Sequence, residues 1–547
     1  MLQTHSARAM AATLDLRHPV IGNGRPPALP VHLSTARLQE LARRATLDPE
    51  GASGETLDVS APFTGEVFAR LAAATPGDVR YAFARARAAG EDWAARPFHE
   101  RARVLERLHD IVLDRKDEAL DLVQLESGKA RVHALEEVMD VALVARYYAY
   151  HGEGALARDR RRGFIPGLTT AEVNRVPKGV VGIIAPWNYP LTMAITDALP
   201  ALLAGNAVVV KPSEITPFSA LLAASLLDEA GLPRDLFHVV LGEGAALGPA
   251  LIEEADFVHF TGSTSTGRIV AQGCAEGLIG CSLELGGKNA MVVLDDADVE
   301  KAVDGALRGV FSNAGQLCIS TERLYVQRPL YRAFADRLAQ RAAELRVEGS
   351  YAWDVEMGTL VSREHFEKVQ AHVDDAVAKG ATVLTGGGSL AEAGALVFAP
   401  TVLENVPPQA DLYREETFGP VVALYPFDTD AEAVRLANDS DYGLNASVYG
   451  SADRARGVAR QLRAGTVNVN EAYAAAWTST DAPMGGMGQS GLGRRHGREG
   501  IQKYTEAQTV AEQRLLPLAP LPGMAAEAFA RTALTGLRIL RKLPGLR

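Results

Sequence analysis

Three side chains suited to acyl-transfer chemistry stand in turn-like settings along the 547-residue chain. Cys318, in FSNAGQLCIST, lies in a polar, glycine-containing segment, although a single cysteine is more often a small buried residue than a nucleophile. Glu284, in LELGGK, follows an apolar strand and precedes Gly286 and Gly287, which allow backbone or ligand to pass closely. Asn188, in APWNYP, lies between two prolines and can offer an amide N–H to an oxyanion.

Short apolar runs predict the strands that must position these residues. The runs GVVGIIAP, NAVVVKPS, LFHVVLG, DFVHFTG and NAMVVLDD alternate with helical stretches such as TPFSALLAASLLDEAG. This alternation is typical of βαβ units around a parallel sheet. After Cys318 the runs ERLYVQR, TVLTGG and PVVALYPF indicate a second α/β domain. Apolar residues at helical spacing predict helices in residues 72–95, 100–125 and 136–150.

Two glycine-containing strings bear on phosphate binding. GSTSTGR follows the strand DFVHF but ends in Arg268 instead of Lys, so it predicts a helix start near a pyrophosphate and not a P-loop. GEGAALG misses the dinucleotide fingerprint by one residue and predicts only the start of a helix. His259, within the strand DFVHF, is interpreted as a core histidine without a catalytic role.

Length, charge and cysteine content exclude several classes of protein. A chain of 547 residues predicts two or more domains, and a formal net charge of −11 argues against a nucleic-acid partner. Cys274, Cys281 and Cys318 are too few for a disulfide framework and lack the spacing of a zinc site, so no metal is expected. No apolar run reaches the roughly twenty residues of a membrane span, and a cytoplasmic enzyme is expected. The first residues are interpreted as a ragged extension, with a transit peptide as the alternative.

Six short motifs occur in one fixed order: PWNYP, KPSE, FTGST, ELGGK, GQLC and EETFGP. In this order they resemble the aldehyde dehydrogenase superfamily, over about residues 61 to 510. The resemblance assigns the nucleophile to Cys318, the oxyanion-hole amide to Asn188 and the general base to Glu284. It also matches ten residues to the dinucleotide site: Trp187, Lys211, Glu214, Gly244, Gly262, Ser263, Gly267, Leu285, Glu416 and Phe418.

The implied reaction begins with addition of the Cys318 thiolate to an aldehyde, because an aldehyde carbon alone gives up hydride poorly. Asn188 and the Cys318 backbone N–H would stabilise the resulting oxyanion. Hydride loss to the nicotinamide would leave a thioester, which Glu284 would help water to hydrolyse. Two alternatives stay open: transfer of the acyl group to coenzyme A, disfavoured by Glu284, and a catalytically silent binding protein, disfavoured by the intact trio.

Glu214 determines the predicted cofactor preference. A carboxylate at this position accepts hydrogen bonds from both ribose hydroxyls of NAD⁺ and repels a 2′-phosphate. NAD⁺ is therefore the preferred cofactor, with some NADP⁺ use permitted by Lys211. The alternative for Glu214 is a solvated side chain at a strand end.

The C-terminal run APMGGMGQSGLGRRHGREGIQKYTEAQTV places the chain nearest the actinobacterial-type group of succinate-semialdehyde dehydrogenase-like proteins. Members of that group that are well studied bind the substrate carboxylate through two arginines, at positions matching Thr196 and Ser312 here. Neither residue offers a bidentate guanidinium, and Arg414 or Arg494 would have to reach the site from elsewhere.

Three further residues, Tyr189, Met193 and Tyr473, are expected to line an apolar entrance. Such an entrance would suit a longer or aromatic aldehyde. The predicted substrate pocket therefore leaves two interpretations open, a succinate-semialdehyde-type substrate and a broad range of medium- to long-chain or aromatic aldehydes.

The predicted fold class is α/β, with a Rossmann-like dinucleotide-binding domain, an α/β catalytic domain and a small β element for oligomerisation. The resemblance implies that the oligomerisation element joins residues near Asp159 to Asn174 with the strand QKYTEAQTV. A homodimer or homotetramer is expected, because a partner subunit can cover the exposed edge of such a strand. The predicted boundaries are a poorly ordered extension (1–50), the NAD(P)-binding domain (51–158 and 178–286), the catalytic domain (287–490), the oligomerisation element (159–177 and 500–514) and a tail (515–547).

That tail carries a basic amphipathic pattern. Its apolar residues fall largely on one helical side, and its basic residues lie nearby. The apolar members are Phe529, Leu534, Leu537, Ile539 and Leu540, and the basic ones are Arg531, Arg538, Arg541 and Lys542. A helix docked on its own or a neighbouring subunit is the first interpretation, and peripheral contact with an anionic membrane is the alternative.

Overall fold

The computed structural model describes residues 29–51, 55–163, 169–514 and 518–542. Its strands are β1 (Thr56–Ala61), β2 (Glu66–Ala72), β3 (Asp159–Arg162), β4 (Thr169–Pro177), β5 (Val180–Ile184), β6 (Ala207–Lys211), β7 (Phe237–Val239), β8 (Phe257–Thr261), β9 (Gly280–Glu284), β10 (Asn289–Val293), β11 (Thr321–Gln327), β12 (Thr382–Thr385), β13 (Thr401–Glu404), β14 (Val421–Phe427), β15 (Asn445–Tyr449), β16 (Thr466–Val469), β17 (Gly491–Leu492) and β18 (Thr505–Gln513).

The helices surround these strands, and short 3₁₀ turns lie at Ser312–Gly315 and Gly488–Ser490. They are α1 (Thr35–Ala42), α2 (Pro76–Ala95), α3 (Phe98–Asp114), α4 (Lys116–Ser127), α5 (Arg131–Leu156), α6 (Pro190–Ile195), α7 (Ala198–Leu203), α8 (Pro217–Glu229), α9 (Gly244–Glu254), α10 (Thr264–Glu276), α11 (Val299–Phe311), α12 (Arg328–Ala343), α13 (Arg363–Ala378), α14 (Asp411–Arg414), α15 (Asp430–Ala437), α16 (Ala452–Ala459), α17 (Ala474–Trp477), α18 (Gly497–Gln502) and α19 (Ala526–Leu540).

A six-stranded sheet in the order β17-β9-β8-β5-β6-β7 forms the first α/β layer. Strands β5 to β9 pair in parallel, and β6 and β8 are buried along their whole length, as expected for apolar strands covered by helices on both faces. Parallel strands present their carboxyl ends at one edge of a sheet. Asn188, Lys211, Gly262 and Glu284 all lie at or just beyond such an end.

A seven-stranded sheet in the order β12-β13-β14-β11-β10-β15-β16 forms the second layer. Strands β10 and β11 are buried along their full length at its centre. Cys318 precedes β11 and Glu416 precedes β14, so the neighbouring strands β11 and β14 position both residues. The predicted α/β fold with two sheets is therefore confirmed.

The third sheet has the order β18-β4-β3 and is antiparallel. Its strands fall within the two ranges predicted for an oligomerisation element. All residues of β18 after Thr505 are exposed. Oligomer formation through this sheet stays a prediction.

The N-terminal region departs from the prediction. Residues 29–50 are not a poorly ordered extension, because α1 has Leu38 and Leu41 fully buried. Ser34 caps this helix by accepting a hydrogen bond from the Arg37 N–H, and Arg37 forms an ion pair with Glu118 of α4 (2.5 Å). Residues 1–28, which the prediction also covered, lie outside the described residues.

The C-terminal helix α19 has no buried residue. It is therefore not docked on its own subunit, which was part of the first interpretation of the tail. Leu534, Leu537 and Ile539 are exposed, at 59%, 46% and 54%. Residues 515–517 and 543–547 of the predicted tail lie outside the described residues. Within the described part of the chain, no helix is long and apolar enough to cross a membrane.

Candidate active site

The nucleophile candidate Cys318 follows a left-handed turn. Asn313, Ala314 and Gly315 have φ values of 51°, 53° and 70°, which is an uncommon conformation for residues other than glycine. At Gly315 a side chain would also collide with the backbone, because a Cβ would lie 2.0 Å from the carbonyl oxygen of Gly419. Strained turns of this kind persist where the surrounding packing fixes them, often at functional sites.

The surroundings of Cys318 disfavour its thiolate form. Burial and the nearby carboxylates of Glu416 and Glu284 raise its pKa to about 12. The thiol is therefore protonated at neutral pH. A base or a change in the surrounding charge must remove the proton before attack.

Asn188 is held beside the nucleophile turn by both its amide and its backbone. Its Nδ2 donates to the carbonyl of Gln316 (3.1 Å), and its carbonyl accepts from Asn313 Nδ2 (3.0 Å) and Lys129 Nζ (2.7 Å). One of the two amide hydrogens is used by Gln316. The other is the donor that an oxyanion requires.

A buried ion pair that the sequence analysis missed supports this arrangement. Lys129 and Glu137 are both fully buried and lie 2.5 Å apart. Glu137 also accepts the backbone N–H groups of Leu191 (2.8 Å) and Thr192 (3.0 Å) at the start of α6, directly after Asn188. No short motif marks this pair, because its two members act on a segment more than fifty residues away.

Glu284 ends β9 as a buried carboxylate. Burial raises its pKa to about 7. Within the described part of the chain, its Oε1 has no hydrogen-bond partner. A buried carboxylate that titrates near neutral pH and keeps a free oxygen is suited to accept a proton from water.

The Glu416 carboxylate accepts the backbone N–H of Gly287 at 2.7 Å. Gly286 allows this approach, since a Cβ there would lie 2.2 Å from a Glu416 oxygen. Burial and the neighbouring Glu322 raise the pKa of Glu416 to about 7. Phe418, two residues later, has a φ of 58°.

The turn that carries Glu416 and Phe418 rests on a second carboxylate, which the sequence analysis also missed. Glu322 accepts the N–H groups of Thr417 (3.0 Å) and Phe418 (2.9 Å) and forms a buried ion pair with Lys288. Lys288 belongs to the motif ELGGK and Glu322 lies in β11, but only the tertiary structure brings the two side chains together under this turn.

Trp187, His365 and Phe418 form one wall of aromatic rings. The rings of Trp187 and Phe418 are perpendicular with centroids 5.5 Å apart, and His365 lies 5.2 Å from Trp187. Burial lowers the pKa of His365 to about 4, so the ring is neutral and its Nε2 donates to the Phe418 carbonyl (2.7 Å). His365 carried no signal in the sequence.

Lys211 and Glu214 lie together at the end of β6, with Nζ and Oε2 3.3 Å apart. Lys211 is buried and also donates to the carbonyl of Gly242 (2.9 Å), whereas the side chain of Glu214 is 43% exposed. Gly244 begins α9, as predicted for the glycine string around it. The exposed carboxylate of Glu214 can therefore contact a ligand that lies outside the sheet.

Ser263 caps α10, where its side chain accepts the Thr266 N–H. Gly262 precedes it, and a Cβ at that position would lie 2.5 Å from the ring of Phe260. Gly267 packs on Leu285, and a Cβ added to this glycine would lie only 2.5 Å from a methyl group of the leucine. This helix therefore begins against the edge of the sheet, with its N-terminal N–H groups available to an anion.

One cavity of about 200 Å³ joins the catalytic and cofactor-site residues. Predicted residues that line it are Trp187, Asn188, Met193, Gly262, Ser263, Glu284, Leu285, Gly286, Cys318, Glu416 and Phe418; residues not predicted are Pro186, Thr261, His365 and Lys368. Lys211, Glu214, Gly244 and Gly267 lie outside this lining. The N-capped helix, the glycines without room for a side chain and the half-buried Glu416 fit a dinucleotide with a polar ribose and a flat ring. Among the described residues, no cluster could bind a metal ion.

The predicted apolar entrance contains a carboxylate. Glu136 accepts hydrogen bonds from the hydroxyls of Tyr189 (2.8 Å) and Tyr473 (2.7 Å), and Tyr473 also bonds to Ser312 (2.9 Å). Ser312, Tyr473 and Glu136 line a larger cavity of about 580 Å³. The expected apolar entrance thus has a polar part, because the tyrosine rings turn their hydroxyls toward one half-buried acid.

Neither arginine considered for the substrate site reaches it. Arg414 forms an ion pair with Asp439, and Arg494 donates to backbone carbonyls of its own loop. Arg495, which follows Arg494 in the chain, is instead buried, and its Nη2 lies 2.9 Å from the hydroxyl of Thr196. The sequence contains this residue in GLGRRHG, but nothing there distinguishes which arginine turns inward.

A family model described as the aldehyde dehydrogenase family matches residues 50–510. A protein of Mycolicibacterium smegmatis, provisionally named a succinate-semialdehyde dehydrogenase with NADP(+), is 48% identical over 93% of this chain and 98% of its own length. A betaine aldehyde dehydrogenase of Cereibacter sphaeroides is 41% identical over 84% of this chain and 94% of its own. The structure of a betaine aldehyde dehydrogenase from Staphylococcus aureus in complex with NAD+ is similar with a TM-score of 0.82 and 33% identity, covering 88% of this chain and 97% of its own. The chain belongs to the aldehyde dehydrogenase family of oxidoreductases.

Proposed function

We propose that the chain oxidises an aldehyde to a carboxylic acid through a thioester on Cys318, with hydrolysis assisted by Glu284. The observation that carries this proposal is that Cys318, Asn188 and Glu284 line one cavity with Glu416 and Phe418. One bound molecule could thus contact the proposed nucleophile, the amide donor and the base, together with residues proposed to bind the cofactor.

Each chain residue has a distinct part in the proposed reaction. Cys318 Sγ adds to the aldehyde carbon, and its proton passes to a carboxylate base in the cavity. Asn188 Nδ2 donates to the oxyanion that forms, a contribution of about 3 kcal/mol for one such donor. Glu284 later takes a proton from water, which attacks the thioester and releases the acid. A nicotinamide dinucleotide, when bound, supplies the hydride acceptor.

We propose that Glu416 and Phe418 position the nicotinamide ribose and ring, and that the start of α10 at Ser263 binds the pyrophosphate. Lys211 and Glu214 would hold the adenosine ribose. Because the exposed Glu214 carboxylate repels a 2′-phosphate, NAD⁺ is the preferred cofactor, and Lys211 permits some NADP⁺ use. The relative named for NADP(+) makes this preference a point to measure.

For the substrate, we propose a short aldehyde of the succinate-semialdehyde type, supported by the relatives of 46–48% identity. A second candidate is a longer or aromatic uncharged aldehyde. It is favoured by the neutral side chains of Thr196 and Ser312 and by the acidic residue Glu136, which lines one cavity with Ser312.

The proposal is tested with purified protein and a panel of aldehydes, each with NAD⁺ and NADP⁺. Succinate semialdehyde and butanal have the same carbon number and differ in the carboxylate, and longer aldehydes and benzaldehyde extend the panel. Rapid-mixing and mass measurements should show reduced cofactor together with an acyl adduct on Cys318. A Cys318→Ala variant should bind cofactor but form no product. Normal turnover by that variant would refute the mechanism.

A further inference from the structure

A buried group of charges lies behind Glu284. Asp197 forms ion pairs with Arg495 Nη2 (2.9 Å) and Lys503 Nζ (3.6 Å), and His259 Nε2 lies 3.1 Å from its carboxylate. The side chains of these four residues are at most 10% exposed. Burial lowers the pKa of His259 to about 4, so this ring is neutral. Arg495, which is cationic, and Lys503 therefore face one carboxylate within the group; burial lowers the pKa of Lys503, and the carboxylates of Asp197 and Glu284 act against this effect.

A surplus cation in a buried place is costly unless another anion lies near. Burial alone would raise the pKa of Asp197, but Arg495 and the other cations hold it well below its usual range, so Asp197 is ionised. Asp140 also faces Arg495; burial raises its pKa to about 6, so at neutral pH its carboxylate is still largely ionised, and it accepts the Trp477 N–H (3.0 Å). Glu284 is the other carboxylate that both Arg495 and Lys503 face.

Backbone and side-chain contacts tie this group to β9. Lys503 Nζ lies 3.3 Å from the Ser282 hydroxyl, and Ser282 and Glu284 share one face of the strand because side chains alternate. Gly491 pairs with Glu284 in register, four residues before Arg495. Gly485 also lies close to Glu284, since a Cβ added to this glycine would lie 3.1 Å from Glu284 Oε1. The segment that carries Arg495 therefore wraps around the base.

We propose that Arg495 and Lys503, held by Asp197, are positioning residues of Glu284 that keep its carboxylate ionised for hydrolysis of the thioester. The inference rests on the proposed function, in which Glu284 is the base. It assigns a role to His259 as well, as a neutral hydrogen-bond partner that fixes Asp197 in the group.

The charges predict opposite effects of opposite substitutions. Besides Arg495 and Lys503, the cation of Arg494 lowers the pKa of Glu284, while burial and Asp197 raise it. Cys318 also faces Glu284, and so does the hydroxyl of Tyr504. Removing a cation should raise the pKa of Glu284 and move the active pH range upward. Removing the Asp197 charge should lower that pKa and move the range downward.

The test measures thioester hydrolysis against pH, in single-turnover experiments in which the acyl adduct on Cys318 is followed by intact mass. In Arg495→Gln and Lys503→Gln, the pH of half-maximal hydrolysis should rise by about one unit or more. In Asp197→Asn it should fall, and in Arg495→Lys, which keeps the charge, it should stay near the wild-type value. A structural role alone would lower the rate in all variants without opposite shifts.

Several results would overturn the inference. One is an unchanged midpoint in both cation variants, and another is a shift of Asp197→Asn in the same direction as Arg495→Gln. A third is a rise in KM for succinate semialdehyde but not for butanal in Arg495→Gln with an unchanged pH profile, because Arg495 would then bind substrate. If Arg495→Gln does not fold by thermal melting, the opposite shifts of Lys503→Gln and Asp197→Asn decide the question. Absence of any acyl adduct in the wild-type protein would instead refute the proposed function.

Discussion

At the scale of single residues, the site depends on carboxylates whose surroundings differ. Glu284 is buried, Glu416 is half-buried, and both have pKa values of about 7, while Glu214 is exposed at the end of β6. In the proposed reaction the same side-chain type would serve as a base, as a partner for a neutral ribose and as a barrier to phosphate. The surroundings of each carboxylate suit it to a different one of these proposed roles.

Glu214 gives a residue-scale prediction on cofactor preference. In Glu214→Ala, kcat/KM for NADP⁺ relative to NAD⁺ should rise about tenfold, equivalent to roughly 1.4 kcal/mol, because a like charge near the 2′-phosphate is removed. Steady-state kinetics with both cofactors measure this ratio. Glu243→Ala is the control, since Glu243 is also an exposed carboxylate that acts on Lys211. An unchanged ratio in Glu214→Ala would show that its carboxylate does not face the ribose.

At the scale of elements, the nucleophile depends on the turn between α11 and β11. Gly315→Ala should lower both stability and activity. The backbone there has a left-handed φ of 70°, and the new Cβ would collide with the Gly419 carbonyl. Gly65→Ala is the matched control: its φ is 73°, but no atom lies within 4 Å of the new Cβ. In both variants the free energy of unfolding should fall by about 1 kcal/mol, because alanine is strained in the left-handed conformation.

Only Gly315→Ala should lose kcat/KM, by more than about tenfold, because the turn must shift and Cys318 with it. Urea unfolding and steady-state kinetics of the two variants separate strain from displacement. Wild-type kcat/KM in Gly315→Ala would mean that the turn does not set the position of the thiol.

At the scale of the whole molecule, the exposed strand β18 predicts assembly of subunits. A strand edge with unpaired backbone groups is stabilised by pairing with another chain. Sedimentation at micromolar concentration should give a dimer or a tetramer. Val510→Lys on β18 should weaken this assembly, whereas Val383→Lys on the edge strand β12 should not, although both valines are exposed. A monomeric wild-type protein would contradict the expectation.

The tail gives a second prediction at this scale. Helix α19 has Arg531 and Arg538 on one side and Phe529 with Leu537 on the other, and Lys542 follows its end, so we expect this helix to bind vesicles that contain anionic lipid. Co-sedimentation should fall with salt and be weak on vesicles of phosphatidylcholine alone.

Leu537→Glu should abolish this vesicle binding, and Thr535→Glu, which places the same charge on the polar side, should reduce it less. If truncation after Arg514 changes the oligomeric state and leaves vesicle binding unchanged, the helix docks on a partner subunit instead.

The sequence by itself predicted which residues would carry the chemistry. Motif order singled out Cys318, Glu284 and Asn188 as candidates, and the apolar runs predicted the parallel strands, because both signals are local and can be read without knowledge of distant contacts. The N-terminal helix α1 escaped prediction, since its short apolar pattern lies among prolines, glycines and isolated charges.

Only the tertiary structure decided which ion pairs and hydrogen bonds surround the candidate site residues. Arg495 and Asp197 are almost three hundred residues apart in the chain, and Glu136 lies more than three hundred from Tyr473. Such ion pairs and hydrogen bonds depend on where the strands bring side chains together, and burial sets their strength. The sequence could name an arginine pair in GLGRRHG, but which member is buried beside the base follows from the packing of β17 against β9.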